Sequence, residues 1–465
     1  MKSDLIKSIP TWLTGSREEP TSPVANSKSS ETTTWSSRHN QNKEDGAAAV
    51  QSSSEANKVP DAPINSTAHT GQKHLKLFGK KFNVKVPVKN YKTRIAYIPL
   101  GGTISAKGTD HSYTAGKTSG KELLEACQKY RPSKIDVEVR KPPYNIDSKD
   151  IKTEDLFNLR VEVQELLKTH DRIVITHGSD TLSLVAFFLC ITLDPELMKD
   201  KTIVFSGAMK PANSPQKDGP RNMGHALRLA KTLDVKGVVC VMDGQILGPP
   251  YFDKRHTTDV GAFKPVMQPK IGNFKGNEPK IKNPPEAPKH YFDLDGVNTL
   301  PVVRDFTQQH FISPDLIVDD MERSVEQGDE GKRAKALVYA ANGNGGIHSD
   351  VEMRIKNLAK QVPLIRATKV GNGEVSRNGA FKDDESGTIC TGQLLPEMAA
   401  LLVQVAMAEA KKHDIDLSID QVRELFDAYQ TPRDATAGEN ETKEEEIGLN
   451  NSNIAAHQEH STTST

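Results

Sequence analysis

The sequence has few cysteines, few aromatic residues and no excess of either charge. Its 465 residues contain 61 Lys and Arg against 61 Asp and Glu, so nothing in the charge balance favours a nucleic acid or a membrane as partner. The four cysteines, Cys127, Cys190, Cys240 and Cys390, lie far apart and form no CxxC pair. We therefore expect reduced thiols in a cytoplasmic protein, with no metal site and no redox site.

Long apolar runs are also absent. The longest, residues 182–193, is too short to cross a bilayer and suits a buried helix. The first twenty residues lack the continuous apolar core of a secretory signal, and their acidic residues are untypical of a transit peptide. With nucleic acid and membrane disfavoured, a small polar molecule is the expected ligand.

The two ends of the chain are rich in Ser, Thr, Asn, Gln and Glu and poor in apolar residues, so we expect disordered tails at residues 1–75 and 431–465. Both tryptophans, Trp12 and Trp35, lie in the first tail. The rest exceeds what one hydrophobic core usually holds. We therefore expect an N-terminal domain at residues 76–288, a linker at residues 289–300 and a C-terminal domain at residues 301–430.

The first of these domains alternates between strand-like and helix-like segments. The strand-like segments are residues 95–98, 135–139, 173–176, 202–205 and 236–242, and the helix-like segments are residues 121–130, 154–170, 181–193 and 221–233. The second domain shows the same alternation, with strand-like segments at 336–341 and 363–367 and helix-like segments at 350–360 and 395–411. The fold class is therefore α/β, with a larger N-terminal doubly wound parallel-sheet domain, a smaller C-terminal α/β domain and disordered tails.

The central strand-to-helix transition is residues 172–189. Its β-branched run at residues 173–175 predicts a strand buried on both faces, and apolar residues then recur at helical spacing. Between the two lie Ser179, Asp180 and Thr181, which either cap the helix or line a crevice at the carboxyl end of the sheet. These three residues alone leave both interpretations open.

The first strand ends in the sequence LGGTIS, where two glycines allow a close backbone approach and place the Thr103 hydroxyl at the strand's end. A simple tight turn would explain the same residues. The following segment, residues 106–117, is polar and without periodicity, which predicts a mobile loop over a substrate, with Tyr113 near its centre. Further along, Ser148 lies before a helix that we expect Thr153 to cap, and Lys254 lies in a charged run.

These residues suit the hydrolysis of a carboxamide. That reaction needs a nucleophilic oxygen, a group that removes its proton and donors aimed at the developing oxyanion. Thr103 and Ser179 supply hydroxyls, and a lysine such as Lys254, beside Asp180, can serve as the base. Backbone N–H groups of the glycine turn and of the helix start can bind the oxyanion.

The motifs GGTIS, HGSDT, GAMKP through DGPRN, and DKRHTTD, with Tyr113 between the first two, follow one another in an order that resembles the bacterial-type L-asparaginases, the asparaginase/glutaminase family, over residues 94–429. The resemblance implies that Thr103 is the primary nucleophile with Tyr113 as its partner. It implies a second catalytic group of Ser179, Asp180 and Lys254. The substrate-binding residues that it implies are Gly102, Asp147, Ser148, Ser179 and Asp180. It further implies a homotetramer, and we expect no cofactor.

The sequence departs from the family pattern at four positions. Ser179 stands where threonine is usual, which keeps the hydroxyl, and Lys149 stands where the secreted bacterial forms often have glutamine. Gly346 replaces an asparagine that often reaches a neighbouring subunit's site, and Phe381 lies where an acidic contact is expected. We therefore expect a weaker contribution from a second subunit and less use of glutamine.

The leading hypothesis is an L-asparagine amidohydrolase with minor action on glutamine. One alternative is the amidase subunit of a tRNA-dependent amidotransferase, which would need an ordered N-terminal module. Another is a catalytically silent protein that binds an amino acid, against which the intact hydroxyls and Lys254 argue.

Overall fold

The computed structural model describes residues 92–431 except 110–111, 233, 309–312 and 328. It also describes a short hairpin, β1 (Lys76–Leu77) and β2 (Lys80–Lys81), which belongs to a separate unit spanning Ser16–Asn90. The predicted N-terminal tail, and the C-terminal tail beyond Thr431, lie outside the described residues.

Residues 92–290 contain twelve strands and five α-helices among the described residues. The strands are β3 (Thr93–Pro99), β4 (Lys107–Gly108), β5 (Tyr113–Thr114), β6 (Ile135–Val139), β7 (Arg172–Thr176), β8 (Thr202–Ser206), β9 (Gly237–Met242), β10 (Gln245–Leu247), β11 (Phe252–Lys254), β12 (Phe263–Pro265), β13 (Gly272–Lys275) and β14 (Glu278–Ile281). The helices are α1 (Gly120–Ala126), α2 (Thr153–Leu167), α3 (Leu182–Thr192), α4 (Pro195–Met198) and α5 (Gly219–Lys231).

The larger sheet has eight strands in the order β14-β13-β10-β9-β8-β7-β3-β6. The neighbouring pairs β6–β3, β3–β7, β7–β8 and β8–β9 are parallel. The strands β10, β13 and β14 extend the sheet beyond β9 with antiparallel pairs. The chain passes outward from β3 to β6 and then returns to the other side of β3 with β7. The strand order therefore reverses between β3 and β7, the place where open α/β sheets bind ligands.

Helices cover both faces of this sheet, as expected of a doubly wound fold. On one face Ile98 and Ile175 pack in an apolar cluster with side chains of α2 and α3, among them Phe187. On the other face Tyr97 and Val174 pack with Leu227 and other side chains of α5. All five residues of β7 are buried, which confirms the prediction from its β-branched run.

The second sheet is smaller and entirely parallel, with the strands β15 (Val303–Thr307), β16 (Ala336–Ala341), β17 (Leu364–Thr368) and β18 (Ile389–Cys390) in that order. Its helices are α6 (Pro314–Glu326), α7 (Glu352–Leu358), α8 (Asp383–Ser386), α9 (Pro396–Lys412) and α10 (Ile419–Asp427). Met398 and Leu402 of α9 belong to the same apolar cluster as Ile98. The α/β class with two sheets is thus confirmed, and the proposed domain limits stay a prediction.

One local prediction is wrong, and two features of the structure were not predicted. Helix α2 is preceded by Lys152, whose N–H is bound by the Asp155 carboxylate at 2.9 Å, so Thr153 is the first helical residue and not the cap. The segment 106–117 contains a short hairpin of β4 and β5, and its mobility over a substrate stays a prediction. The antiparallel strands β10 to β14 were not predicted, because strands of three or four residues leave too little periodicity to recognise.

Within the described part of the chain, no helix is long and apolar enough to span a membrane. The same residues include no group of three or more His, Cys, Asp or Glu side chains placed to hold a metal ion. The four cysteines are all free.

A buried ion pair fixes one end of the smaller sheet. Arg366 on β17 is fully buried and donates to both carboxylate oxygens of Asp383, at 2.8 and 2.6 Å. The same guanidinium donates to the carbonyls of Asn344 and Ser376. Removing the carboxylate would leave a buried charge without its partner, which is costly.

We predict that Asp383→Ala lowers the free energy of unfolding by about 3–5 kcal/mol, because Arg366 would keep a buried and uncompensated charge. Urea denaturation followed by circular dichroism measures this. The matched control is Asp384→Ala, which removes an exposed pair with Arg377 and should cost at most about 1 kcal/mol. Equal effects of the two substitutions would contradict the prediction.

Candidate active site

The candidate site lies where β3 and β7 end side by side. Gly101 and Gly102 follow β3 with φ values of 92° and 76°, which favour glycine. A Cβ on Gly102 would lie 2.2 Å from the Cα of Gly178, which follows β7. The two strand ends can therefore touch only because Gly102 lacks a side chain, and the contact brings Thr103 and Ser179 to neighbouring positions.

A third segment, which contains Ser148, packs against Gly178. A Cβ on Gly178 would lie 2.4 Å from Ser148 Oγ, so Ser148 fits directly against the second glycine. The Asp180 N–H donates to Ser148 Oγ at 3.2 Å, and Thr181 Oγ1 donates to the Ser148 carbonyl at 3.1 Å. Ser148, predicted to bind substrate, is itself buried and held at the crevice.

Of the two interpretations left open for Ser179, Asp180 and Thr181, side-chain capping of α3 is excluded by the structure. Thr181 is the residue before the helix, and no side chain there accepts a hydrogen bond from the first turn. Its hydroxyl is used to bind the Ser148 carbonyl instead. Ser179 and Asp180 are left free for other contacts.

Thr103 begins a short 3₁₀ helix, Thr103–Ser105, and is 7% exposed. Its hydroxyl donates to the Tyr113 hydroxyl at 3.3 Å, and Tyr113 is 43% exposed. Ser105 Oγ donates to the Gly102 carbonyl and accepts from the Gly116 N–H, both at 3.0 Å. Ser105, which the sequence did not single out, thus ties the Tyr113 loop to the turn that carries Thr103.

The structure also brings together the second predicted group. Lys254, the last residue of β11, donates from Nζ to Ser179 Oγ at 2.9 Å and to Asp180 Oδ1 at 2.7 Å. Ser179 is buried, the Lys254 side chain is 20% exposed, and that of Asp180 is 49% exposed. The lysine thus bridges a buried hydroxyl and a carboxylate that remains open to solvent.

Lys149 and Asp147 lie on either side of Ser148. The Lys149 ammonium lies 2.5 Å from a carboxylate oxygen of Asp150 and 3.5 Å from one of Asp147. The hydrogen bond with Asp150 raises the pKa of Lys149 above its ordinary value. The charge that replaces the usual glutamine is therefore already paired with two carboxylates of its own turn.

Two of the departures from the family pattern, Phe381 and Gly346, lie in loops of the smaller α/β region. Phe381 is buried in the apolar cluster that contains Tyr339 and Ile355. Gly346 closes a turn by donating its N–H to the Asn342 carbonyl at 2.7 Å. The expected effect of these two residues on a second subunit stays a prediction.

The buried side chains of Tyr144 and His177 support the turn after β7. Tyr144 Oη lies 3.2 Å from His177 Nε2, and His177 Nδ1 lies 2.8 Å from the Gly178 carbonyl. Since the carbonyl only accepts, Nδ1 carries the proton and the tyrosine donates to Nε2. Burial lowers the pKa of His177 to about 4, so the ring is neutral and holds the turn rather than acting as a base.

The GAMKP and DGPRN motifs meet at a second support. The Asp218 carboxylate accepts from the N–H groups of Met209 and Lys210, at 3.0 Å in each case, and from Asn222 Nδ2. Asn222 Nδ2 also donates to the Gly207 carbonyl. Burial raises the pKa of Asp218. These hydrogen bonds join the two motifs, and their place in the wall of the crevice stays a prediction.

Because the buried His177 is neutral, we predict that the free energy of unfolding decreases in acid. The unfolded ring takes up a proton near pH 6.5 and the native ring only near pH 4, so protonation favours the unfolded chain as the pH falls between these values. His177 alone should then lower the free energy of unfolding by about 3 kcal/mol over this interval. His177→Gln should remove that part of the pH dependence in denaturant titrations. His256→Gln, at an exposed position, is the control, and an unchanged slope in His177→Gln would contradict the assignment.

Comparison with known proteins identifies similar sequences along most of the folded part of the chain. The family model described as "Asparaginase, N-terminal" matches residues 94–287, and that described as "Glutaminase/Asparaginase C-terminal domain" matches residues 320–426. L-asparaginase 2 of Escherichia coli is 29% identical over 347 residues, which cover 72% of this chain and 93% of that protein. The glutaminase-asparaginase of Pseudomonas fluorescens is 29% identical over 341 residues, which cover 70% and 90%.

A solved structure shows the same fold. The crystal structure of a probable cytoplasmic L-asparaginase from Campylobacter jejuni superposes with a TM-score of 0.62 at 25% identity and covers 73% of this chain and all of that one. The two family models together match well over half of the sequence and include the ends of both β3 and β7. The chain therefore belongs to the bacterial-type asparaginase/glutaminase family.

Proposed function

We propose that this protein is an L-asparagine amidohydrolase, which converts L-asparagine to L-aspartate and ammonia and hydrolyses L-glutamine slowly. The observation that carries the proposal is the pairing of Thr103 with Tyr113 beside the Ser179, Asp180 and Lys254 group. Two hydroxyls with separate proton-handling partners suit a reaction that proceeds through a covalent ester. The same contacts argue against a silent binding protein, which would need neither pair.

In the first half of the reaction, Thr103 Oγ1 attacks the side-chain amide carbon. The hydroxyl proton passes to Tyr113 Oη, which gives its own proton to the amide nitrogen, and the C–N bond breaks to release ammonia. The aspartyl group is then held as an ester on Thr103. Tyr113 is well placed for this relay, because Thr103 already donates its hydrogen bond to the tyrosine oxygen.

In the second half, water attacks the ester carbon and the bond to Thr103 Oγ1 breaks. Ser179 Oγ orients the water, and the pair formed by Lys254 and Asp180 takes the proton that the water loses and returns it to the threonine oxygen. The net reaction consumes one water and requires no cofactor. Backbone N–H groups at the strand ends stabilise the oxyanion in both halves.

The substrate's α-groups are recognised by charge. The half-exposed Asp180 carboxylate pairs with the α-ammonium, while Ser148 and the start of α3 favour the α-carboxylate. Gly102 and Asp147 line the same crevice. Asp180 thereby serves both the substrate and Lys254, which couples binding to the second catalytic group.

The assembly and the location of the enzyme are proposals of the same kind. The family resemblance supports a homotetramer. The four free cysteines support a reducing compartment, and we place the enzyme in the cytoplasm. Relatives are named for both locations, since that of Campylobacter jejuni is called cytoplasmic and one of Haemophilus influenzae periplasmic.

Thr103→Ala should abolish ammonia release from L-asparagine, because the ester cannot form without the hydroxyl. The measurement is ammonia production by the purified chain with each amide in turn and no nucleotide or partner present. Thr109→Ala, in the hairpin loop that follows, is the matched control and should retain most of the activity. A near-normal rate in Thr103→Ala with unchanged circular dichroism would exclude this residue as the nucleophile.

Lys254→Met should lower kcat by about 10²–10⁴ with a smaller change in KM, because the lysine handles a proton and does not hold the substrate's α-groups. Steady-state kinetics with L-asparagine provides both constants. Lys264→Met removes an exposed lysine from the adjacent strand β12 and should leave kcat within a factor of about two. A pure KM effect in Lys254→Met would show that the lysine binds substrate instead.

A further inference from the structure

Lys254 lies on a strand that belongs to neither of the two larger sheets. Among the described strands, β11 pairs only with β12, in a two-stranded ribbon with three residues in each strand. A ribbon of this size is at best marginally stable by itself. The position of Lys254 Nζ therefore depends on the contacts that tie the ribbon to the rest of the molecule.

The first two residues of β11 are held by the larger domain. Phe252 is buried, together with Phe263 of β12, in the apolar cluster to which α3 contributes. The Asp253 carboxylate accepts a hydrogen bond from Ser183 Oγ, in the first turn of α3, at 3.4 Å. Lys254 is the last residue of the strand, so its support has to come from the residues that follow.

Arg255, the residue after Lys254, supplies this support. Its N–H donates to the Ala262 carbonyl at 2.7 Å, which extends the pairing of the ribbon by one residue. Its guanidinium lies 3.4 Å from the Asp253 carboxylate through Nε and donates from Nη2 to the Gly371 carbonyl at 2.6 Å. A single planar side chain thus joins the ribbon to the loop that follows β17 of the smaller sheet.

The loop after β17 leaves room for this arginine. A Cβ on Gly371 would lie 2.1 Å from Arg255 Nη1, so the guanidinium occupies the space that a side chain would need. The φ of Gly371 lies outside the left-handed region, so its backbone does not itself require glycine. The next residue, Asn372, accepts from the Met267 N–H at 2.6 Å, and Met267 follows β12. The loop therefore binds the residues beyond both strands of the ribbon.

We propose that Arg255 is a positioning residue for Lys254, through which the smaller sheet supports the second catalytic group. The inference rests on the proposed function, in which Lys254 handles a proton beside Ser179. A group that transfers a proton must stay within hydrogen-bond distance, and a displacement of about 1 Å is enough to lower a rate about 100-fold. The motif DKRHTTD contains Arg255, and the proposed reaction gives this arginine no other role.

The test is a double-mutant cycle on kcat for L-asparagine. Arg255→Ala should lower kcat about 10- to 100-fold with a smaller change in KM, because Lys254 Nζ is displaced from Ser179. In the Lys254→Met background the same substitution should have no further effect, since a residue that acts through Lys254 loses its role with it. Arg323→Ala, which removes an exposed ion pair on α6, is the matched control and should leave kcat within a factor of about two.

A second variant tests the contact with the loop. Gly371→Ala keeps the arginine but takes the space of its guanidinium, and it should lower kcat as Arg255→Ala does. Adding Arg255→Ala to Gly371→Ala should cause no further loss. Gly331→Ala is the control, because a Cβ there meets no atom within 4 Å.

A measurement without substrate separates this inference from the proposed reaction. Acetylation by acetic anhydride, followed by mass spectrometry, reports how accessible each lysine ammonium is. Lys254 should react several-fold faster in Arg255→Ala than in the unchanged protein, because its hydrogen bonds to Ser179 and Asp180 are loosened. Lys332, whose side chain is 77% exposed, is the internal reference.

A normal kcat in Arg255→Ala or in a folded Gly371→Ala would overturn the inference, as would losses of kcat that multiply when Arg255→Ala is combined with Lys254→Met. If Gly371→Ala lost its circular dichroism, the cycle with Arg255→Ala would decide, because Arg255 is an exposed residue. The absence of ammonia release from the unchanged protein would refute the proposed function instead. Faster acetylation of Lys254 in Arg255→Ala would then still support the positioning role, and an unchanged rate would overturn it.

Discussion

The close approach of Gly102 and Gly178 is the constraint on which the rest of the site depends. A side chain on Gly102 would overlap Gly178, and one on Gly178 would overlap Ser148, so the two strand ends meet through bare backbone. That contact lies where the strand order reverses between β3 and β7, and it puts one hydroxyl on each side of it. Thr103 and Ser179 follow different strands, and we propose that they face a common crevice for this reason.

Buried and exposed side chains have different roles around this contact. The backbone that carries the hydroxyls is held by buried side chains, namely Ser105, Ser148 and the neutral His177, each of which binds a carbonyl or an N–H of a turn. Tyr113 and Asp180, in contrast, are half exposed. In the proposed reaction, the two groups that meet the substrate first thus remain accessible, while the hydroxyls stay fixed for attack.

Sequence reasoning succeeded where a strong local pattern existed. The buried run at residues 173–175, the alternation that follows it and the strand-end motifs were sufficient to place β3, β7 and the hydroxyls. It failed where the outcome depended on distant partners. Thr181 has an ordinary capping side chain, but the Ser148 carbonyl, 33 positions away, takes its hydroxyl. The supporting role of Ser105 was equally hidden, because a serine in a turn carries no pattern of its own.

The account rests on the claim that the residues after β3 and those after β7 serve one substrate. A crystal structure with bound L-aspartate, the product, tests it most directly. We predict that the side-chain carboxylate lies between Thr103 Oγ1 and Ser179 Oγ, with the α-ammonium on Asp180. An aspartate that contacts only one of the two hydroxyls, with the other facing a different cavity, would contradict the account.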